Sequence, residues 1–381
     1  MIINNPTKMI EIKKVTTKKE LKLFVEFPFL LYKNNAYWVP PLIKDELESF
    51  DPTINPVFKH AQADFFLAFD NHKIVGRIAA IINWTEVNSQ RLKKMRFGWF
   101  DFIDNLEVSS ALINKVKEIG LANQLEFMEG PVGFSNLDKV GVLTYGFDHI
   151  GTMITWYNYP YYQTHFEKMG FKIEKEYLEN KFEFKNVERA PLERASALIE
   201  QRYQVKSLTF TKTKDLLPYV DEMFNLFNAC YAALSTFVPI TETEIEYIKK
   251  RYISFINPEY IKFVVDKNQK LIAFGITMPS FSRALQKAKG HLFPFGIFHL
   301  LYAKKNSKDV ISYLIGVHPD YQNKGINALI FLEFQKTFEQ LKIVNFIRTP
   351  ELADNVAIHQ IWKKFGQITH QRRCTFSKPL V

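Results

Sequence analysis

Two cysteines in 381 residues, Cys230 and Cys374, stand far apart and in no CxxC pattern. That excludes a disulfide framework and points to a reducing compartment. No His/Cys/Asp cluster has the spacing of a zinc site, so no metal is expected. Long apolar runs are missing too. None reaches the ~20 residues of a membrane-spanning helix, and Met1 to Ile12 lacks the layout of a signal peptide, so the expected location is cytoplasmic. The nearest run, from Leu292 to Tyr302, is short and broken by Pro294 and Gly296. It reads as a buried or groove-lining segment. Docking to a membrane surface, or lining the groove of a long acyl chain, is the alternative. Walker loop, kinase set, Gly-x-Ser-x-Gly elbow and dinucleotide fingerprint are all absent. Without a long basic block or an RNA-binding signature, nucleic acid has little support as a partner.

What is present is a globular composition, 47% hydrophobic and 24% charged, well away from disorder. The length suggests two or three domains. A formal net charge of +10 fits either an anionic partner or a Lys-rich solvated surface. Ala63 to Ile82 reads as two β-rich runs around the turn Asp70-Asn71-His72. Tyr260 to Thr277 reads the same way around its own Asp/Asn turn, and Gly76 and Gly275 fall in the second strand of each. Repetition of a whole supersecondary unit argues for two copies of one fold. A charged linker from Asn186 to Glu193, containing Pro191, divides them into a first domain over 1–187 and a second over 188–381. Phe171 to Phe184 would close the first copy as two strands. The second would run through a helix over Asp215–Leu234, a strand over Ile343–Arg348, a helix over Asp354–Phe365 and a last strand near His370–Phe376.

The second half is organised around one stretch. An apolar strand from Val310 to Val317 leads into the turn Gln322-Asn323-Lys324-Gly325, and a helix follows from Ile326 to Leu341. Gly325 lets a ligand approach the main chain closely. A helix starting there aims free N–H groups and its positive dipole end at whatever lies above the turn, which suits a phosphate. Lys324 adds a charge. The matching stretch of the first half, Ile103-Asp-Asn-Leu-Glu-Val-Ser109, has no glycine and carries acids that would repel a pyrophosphate.

Gln322-x-x-Gly325-x-Asn327-Ala328 resembles the pyrophosphate loop of the GNAT (GCN5-related N-acetyltransferase) acyltransferases. Phe97-Gly-x-Phe, Glu129-Gly-Pro, Gly146-Phe-Asp and Tyr157-Asn-x-Pro-Tyr-Tyr together resemble a bacterial family of tandem GNAT-like proteins. The resemblance implies an α/β (α+β) fold of two GNAT-like domains, each a mixed central sheet flanked by helices. It implies acetyl-CoA or another acyl-CoA as substrate. The pyrophosphate would lie on Gln322, Asn323, Lys324, Gly325, Ile326, Asn327 and Ala328, and the pantetheine arm on Ile315, Gly316 and Val317, with Asn355 contributing. The central strands would open in a V in the second half only. The reaction implied is N-acyl transfer to a small or peptide-like amine. His318 and Asp320, at the strand end, could meet that amine, since histidine is readily tuned to proton transfer near neutral pH. Tyr161 and Tyr162 belong to an aromatic cluster that could line an acceptor pocket or supply a phenol acid. Two departures stand out: Asn327 replaces the family's Gly or Ala, and Trp362 stands where a Tyr proton donor is expected. Indole has no proton of useful acidity. Alternatives are Fem-like aminoacyl transfer from a charged tRNA and a non-catalytic acyl-CoA-binding protein.

Overall fold

Asn71 and His72 take left-handed backbone angles, φ +47° and +65°, which close the first hairpin between two apolar, β-rich strands. The computed structural model describes residues 10–381 except 136, 233, 235–236, 253–256, 357–358, 360–361 and 363–364. The chain forms two compact units. Unit 1 runs to Tyr177 and adds Ala288–Leu292 and Gln371–Val381; unit 2 holds Leu178–Lys287 and Phe293–His370. No helix among the described residues is long and apolar enough to cross a membrane.

Unit 1 contains β1 (Glu11–Lys14), α1 (Lys18–Leu31), α2 (Ile43–Ser49), β2 (Ala61–Asp70), β3 (Lys73–Asn83), β4 (Lys94–Phe102), α3 (Leu106–Ala122), β5 (Phe127–Gly130), β6 (Val142–Tyr145) and α4 (Tyr161–Lys168). It also holds the start of β7 (Lys172–Glu183). Helix α1 opens with a capping box: Thr17 Oγ1 accepts from Glu20 N, and the Glu20 carboxylate accepts from Thr17 N at 2.9 Å. Strand β3 is buried on both faces. Ile78, Ala80 and Ile82 join Phe97, Leu112 and Phe166 on one side, while Ala79 and Ile81 join Phe24, Phe65 and Trp99 on the other.

Unit 2 contains α5 (Arg189–Tyr203), β8 (Lys206–Thr209), α6 (Thr213–Leu216), α7 (Val220–Tyr231), α8 (Glu242–Tyr252), β9 (Ile261–Val265), β10 (Leu271–Pro279), α9 (Ser282–Ala288), α10 (Gly296–Asn306), β11 (Asp309–Val317), α11 (Asn327–Leu341), β12 (Asn345–Arg348), β13 (Glu351–Leu352) and the start of β14 (Ile368–Pro379). The single helix expected over Asp215–Leu234 is broken instead by a 3-10 turn at Leu217–Tyr219, where Pro218 sits. Of the helix expected over Asp354–Phe365, residues 357–358, 360–361 and 363–364 lie outside the described residues.

The strand orders of the two units match. Unit 1 reads β1-β2-β3-β4-β5-β14 and unit 2 reads β8-β9-β10-β11-β12-β7. Gly76 and Gly275 play one part in each. A Cβ at Gly76 would lie 2.8 Å from Leu112 of α3, and one at Gly275 would lie 2.7 Å from Ile330 of α11. Both permit a crossover helix to sit close on the sheet. The last strand of each order comes from the other half of the sequence. Phe182 of β7 pairs Phe346 of β12, and Phe376 of β14 pairs Gly130 of β5. The units divide at Tyr177/Leu178 and exchange closing strands, where the sequence reading divides the chain at 187/188 and leaves each half its own.

Both units open a V, which corrects the expectation of one in the second half only. In unit 2, β11 pairs β12 only from Asp309↔Asn345 to Ser312↔Arg348, yet stays with β10 as far as Val317↔Ala273. In unit 1, β4 pairs β5 only from Lys94↔Phe127 to Arg96↔Glu129, yet stays with β3 as far as Phe102↔Gly76. The units differ in the turn after the central strand, three residues (103–105) in unit 1 and nine (318–326) in unit 2.

Candidate functional site

Strand β11 carries an irregularity where it parts from β12. Its register to β10 slips between Leu314 and Ser312, so Tyr313 bulges out of the ladder. Beyond it, Leu314, Ile315, Gly316 and Val317 follow β10 on one edge, while β12 has parted from the other. Tyr231, at the end of α7, reaches that edge and donates its hydroxyl to Ile315 O at 3.1 Å. Burial pushes the Tyr231 phenol up, holding it protonated. Sequence reading passed over Tyr231 because it falls on the apolar stripe of an amphipathic helix and reads as core.

The turn is built to leave main-chain donors unanswered. Residues Pro319–Tyr321 form a 3-10 turn, and Gln322 Nε2 donates back to Val317 O at 3.2 Å. Asn323 and Gly325 then take φ of +59° and +78°. A helix begins only after this double reversal. Ala328 N and Leu329 N donate to Gly325 O and Ile326 O, at 2.8 and 3.1 Å. The five N–H groups before them, from Asn323 to Asn327, donate to no acceptor among the described residues. Ile326, 1% exposed, pins the turn into the core. Helix α11 has no side-chain cap and no acid in its first turn, so its positive end is not neutralised from within. Lys324 hangs over the rings of Tyr203 and Tyr321, at 5.5 and 5.1 Å from their centroids.

His318 sits where the strand meets the turn. Its Nδ1 accepts from Asp320 N at 3.3 Å, which leaves the proton of the neutral ring on Nε2, a donor position. The Asp320 carboxylate lies 3.7 Å from the same Nδ1 and is largely exposed. Unit 2 thus brings together Ile315, Gly316, Val317, His318, Asp320 and the whole of Gln322–Ala328. Asn355 follows β13, its N–H donating to Leu352 O at 3.1 Å. Trp362 is 1% exposed and packs among Phe182, Phe331 and Phe346, with the Arg348 guanidinium 4.6 Å from its ring centroid. It is a core aromatic.

Tyr161 and Tyr162 belong to unit 1. The Tyr161 hydroxyl donates to Phe102 O. The Tyr162 hydroxyl lies 3.0 Å from that of Tyr32 and accepts from Phe102 N at 3.2 Å. Burial, with Asp101 adding to it, pushes both phenols up. Tyr157 and Tyr159 likewise donate to Phe147 O and Leu31 O. The aromatic cluster is hydrogen-bonded into the unit 1 interior. Among the described residues, no group of three or more His, Cys, Asp or Glu side chains could hold a metal ion.

No protein-family model matches the chain. A solved tandem GNAT protein from the clavulanic acid biosynthesis pathway superposes with a TM-score of 0.57 at 10% identity, covering 98% of this chain and 99% of that one. The chain has the tandem GNAT fold. A probable N-acyltransferase of unknown function from Enterococcus faecalis V583 superposes with a TM-score of 0.51 at 9% identity, covering 98% of this chain and 73% of that one. Among curated proteins, protein YghO of Escherichia coli (strain K12) is 25% identical over 372 residues, 95% of this chain and 94% of its own. A bacterial ceramide synthase of Caulobacter vibrioides is 25% identical over 319 residues, 81% of this chain and 80% of its own.

The two units differ at the helix start that follows the central strand. In unit 1, Asn105 caps α3 by accepting from Glu107 N at 2.9 Å, and Asp104 stands beside it, bound to His165 Nε2 at 3.0 Å. A side chain answers the helix end there and carboxylates surround it, which opposes a phosphate. In unit 2 the corresponding helix end is open.

Proposed function

We propose that the chain is an acyl-CoA-dependent N-acyltransferase whose thioester substrate is held by unit 2. One observation carries the reading: five consecutive unanswered N–H groups, Asn323 to Asn327, stand at a helix start directly beyond a strand that has parted from its neighbour. The first feature suits a pyrophosphate. The second offers a strand edge, Leu314 to Val317, from which β12 has parted and on which an extended amide-bearing arm can hydrogen-bond like an added strand.

In this proposal the amine nitrogen attacks the thioester carbonyl carbon. A C–N bond forms, the C–S bond breaks, the amine gives up a proton and the departing thiolate takes one. Main-chain N–H groups near Val317 polarise the carbonyl. His318 Nε2–H is the proton-handling group on the thiolate side, because the hydrogen bond from Asp320 N occupies Nδ1. Tyr231, already on the strand edge, fixes how closely the arm can approach Ile315. Tyr161 and Tyr162 take no part, since each hydroxyl is committed to a structural bond, and Trp362 takes none because it is core.

A ceramide is a fatty acyl amide of a long-chain amino alcohol. The relative named a bacterial ceramide synthase therefore favours an amine borne on a long-chain amphiphile, and a long acyl-CoA over acetyl-CoA. The test is amide formation, read by mass spectrometry, with acyl-CoAs of increasing chain length and a panel of amines from polyamines to long-chain amino alcohols. Calorimetry with CoA runs beside it. No heat and no thermal protection by millimolar CoA would overturn the reading. Steeply salt-dependent binding of charged tRNA in its place would favour Fem-like aminoacyl transfer.

A further inference from the structure

The outward face of α10 is apolar. Phe298 follows Phe295 by three residues, and Leu301 and Tyr302 follow Phe298 by three and four, so the four share one side of the helix and the turn before it. They are 71%, 65%, 53% and 71% exposed, and Phe293 just ahead is 76% exposed. A surface helix ordinarily turns such a stripe inward. The four rings present on the order of 500 Å² of apolar surface, as large as the largest patch on a typical monomer.

The charge around that face has one sign. Between Ser280 and Lys308 the chain carries Arg283, Lys287, Lys289, Lys304, Lys305 and Lys308 and no Asp or Glu. Lys304 and Lys305 lie in the last turn of α10, which has no acidic residue, and Lys305 extends the stripe one step beyond Tyr302. Aromatic rings bordered by ammonium groups match a bilayer interface, where rings enter the acyl boundary and lysines reach phosphates. The same face of a second copy would bring no carboxylate to these lysines.

We propose that α10 and the Phe293–Phe295 turn dock unit 2 onto the surface of an anionic lipid bilayer. The helix lies in the interface and does not span it. The proposal stands on this surface and not on the acyl-transfer reading.

The test is co-sedimentation of the full chain with phosphatidylcholine vesicles and with vesicles of equal phosphatidylcholine and phosphatidylglycerol. Partition should be about tenfold or more stronger on the anionic vesicles and fall with salt. Lys304→Ala with Lys305→Ala should weaken it about thirtyfold. Phe295→Ser with Phe298→Ser should weaken it roughly a hundredfold or more. Thermal midpoint and CoA affinity should hold in both, because these side chains are exposed. Absence of binding to anionic vesicles at low salt overturns the proposal, as does binding that neither variant weakens. A concentration-dependent dimer abolished by the Phe variant, in a protein that ignores vesicles, assigns the face to a second copy and also overturns it. Vesicle binding without CoA binding upholds the docking surface and sinks the acyl-transfer reading.

Discussion

Asn327→Asp sets the stability of unit 2 against its affinity for CoA. The change is nearly isosteric and adds one negative charge at the first residue of α11, where no acid now stands. With no pyrophosphate present, that charge meets the positive end of the helix and should stabilise the protein by about 0.3–1 kcal/mol, raising the melting temperature by roughly 1 °C. With CoA present, it faces the pyrophosphate. One unit charge opposing another at ~6 Å costs about 1–3 kcal/mol at the effective dielectric of a protein surface, a loss of roughly tenfold to a hundredfold in affinity. Differential scanning fluorimetry reads the first effect and calorimetry the second. Pantetheine, which lacks the pyrophosphate, serves as control and should bind the variant as it binds the wild type. CoA affinity within about twofold of wild type would refute a pyrophosphate at this turn. A lowered melting temperature would refute the claim that the helix end is unanswered. Gly325→Val is a poorer probe. Its residue has φ +78°, and a Cβ there would lie 3.0 Å from Ile199 Cδ1, so lost binding could not be told from a distorted fold.

Lys324→Ala should weaken CoA by only about 0.2–1 kcal/mol, because the ammonium is exposed, and the difference should vanish in high salt when calorimetry is repeated there. Trp362→Phe should keep turnover within severalfold of wild type, whereas Trp362→Ala should lose about 3–5 kcal/mol in a denaturant titration; a turnover lost in the Phe variant with the fold intact would restore a catalytic part to the indole. Glu86 and Glu129 are 0% and 3% exposed. Burial pushes both carboxyls up, but Arg96 and Lys94 at Glu86, and Lys94 and Lys175 at Glu129, more than reverse it, so both end below the ordinary 4.5. With folded values below unfolded ones, their stabilisation is complete above about pH 4.5 and is lost as pH falls through the lowered values. Circular dichroism on an acid titration should therefore show unfolding below that point. Glu129→Gln should cost about 3–5 kcal/mol by stripping a partner from Lys94, and an unchanged acid midpoint in that variant would refute the linkage.

The hairpins and the turn ahead of α11 were legible in the sequence because their causes are local. Apolar, β-rich runs meet at Asp/Asn turns, and Gly325 marks a reversal that few other residues could make. What escaped depends on distant partners. Nothing within Phe171–Phe184 or His370–Phe376 reports which sheet edge the strand will join, so the exchange of closing strands was invisible. The V in unit 1 was missed for a related reason: the parting of β4 from β5 is a property of register, while the sequence shows only the acids of the turn beside it. Leu292–Tyr302 was read as buried because hydropathy records what a side chain prefers and not whether the fold has room for it. Tyr161 and Tyr162 looked available because the groups that take up their hydroxyls, Phe102 and Tyr32, lie about sixty residues or more away in the chain.

The exchanged strands bear on the order of synthesis. A ribosome delivers nearly all of unit 1 first, yet the strand that lies beside β5, Phe376 to Pro379, is made only after the whole of unit 2. Until then the edge of β5 stands bare, and an exposed strand edge invites pairing with other chains. Unit 2 meets the opposite condition, since its borrowed strand is made before the rest of it and is waiting when β12 appears. The first half therefore cannot finish folding ahead of the second, as N-terminal domains commonly do. Losing Phe376 to Pro379 would leave the damage in the half of the protein already built.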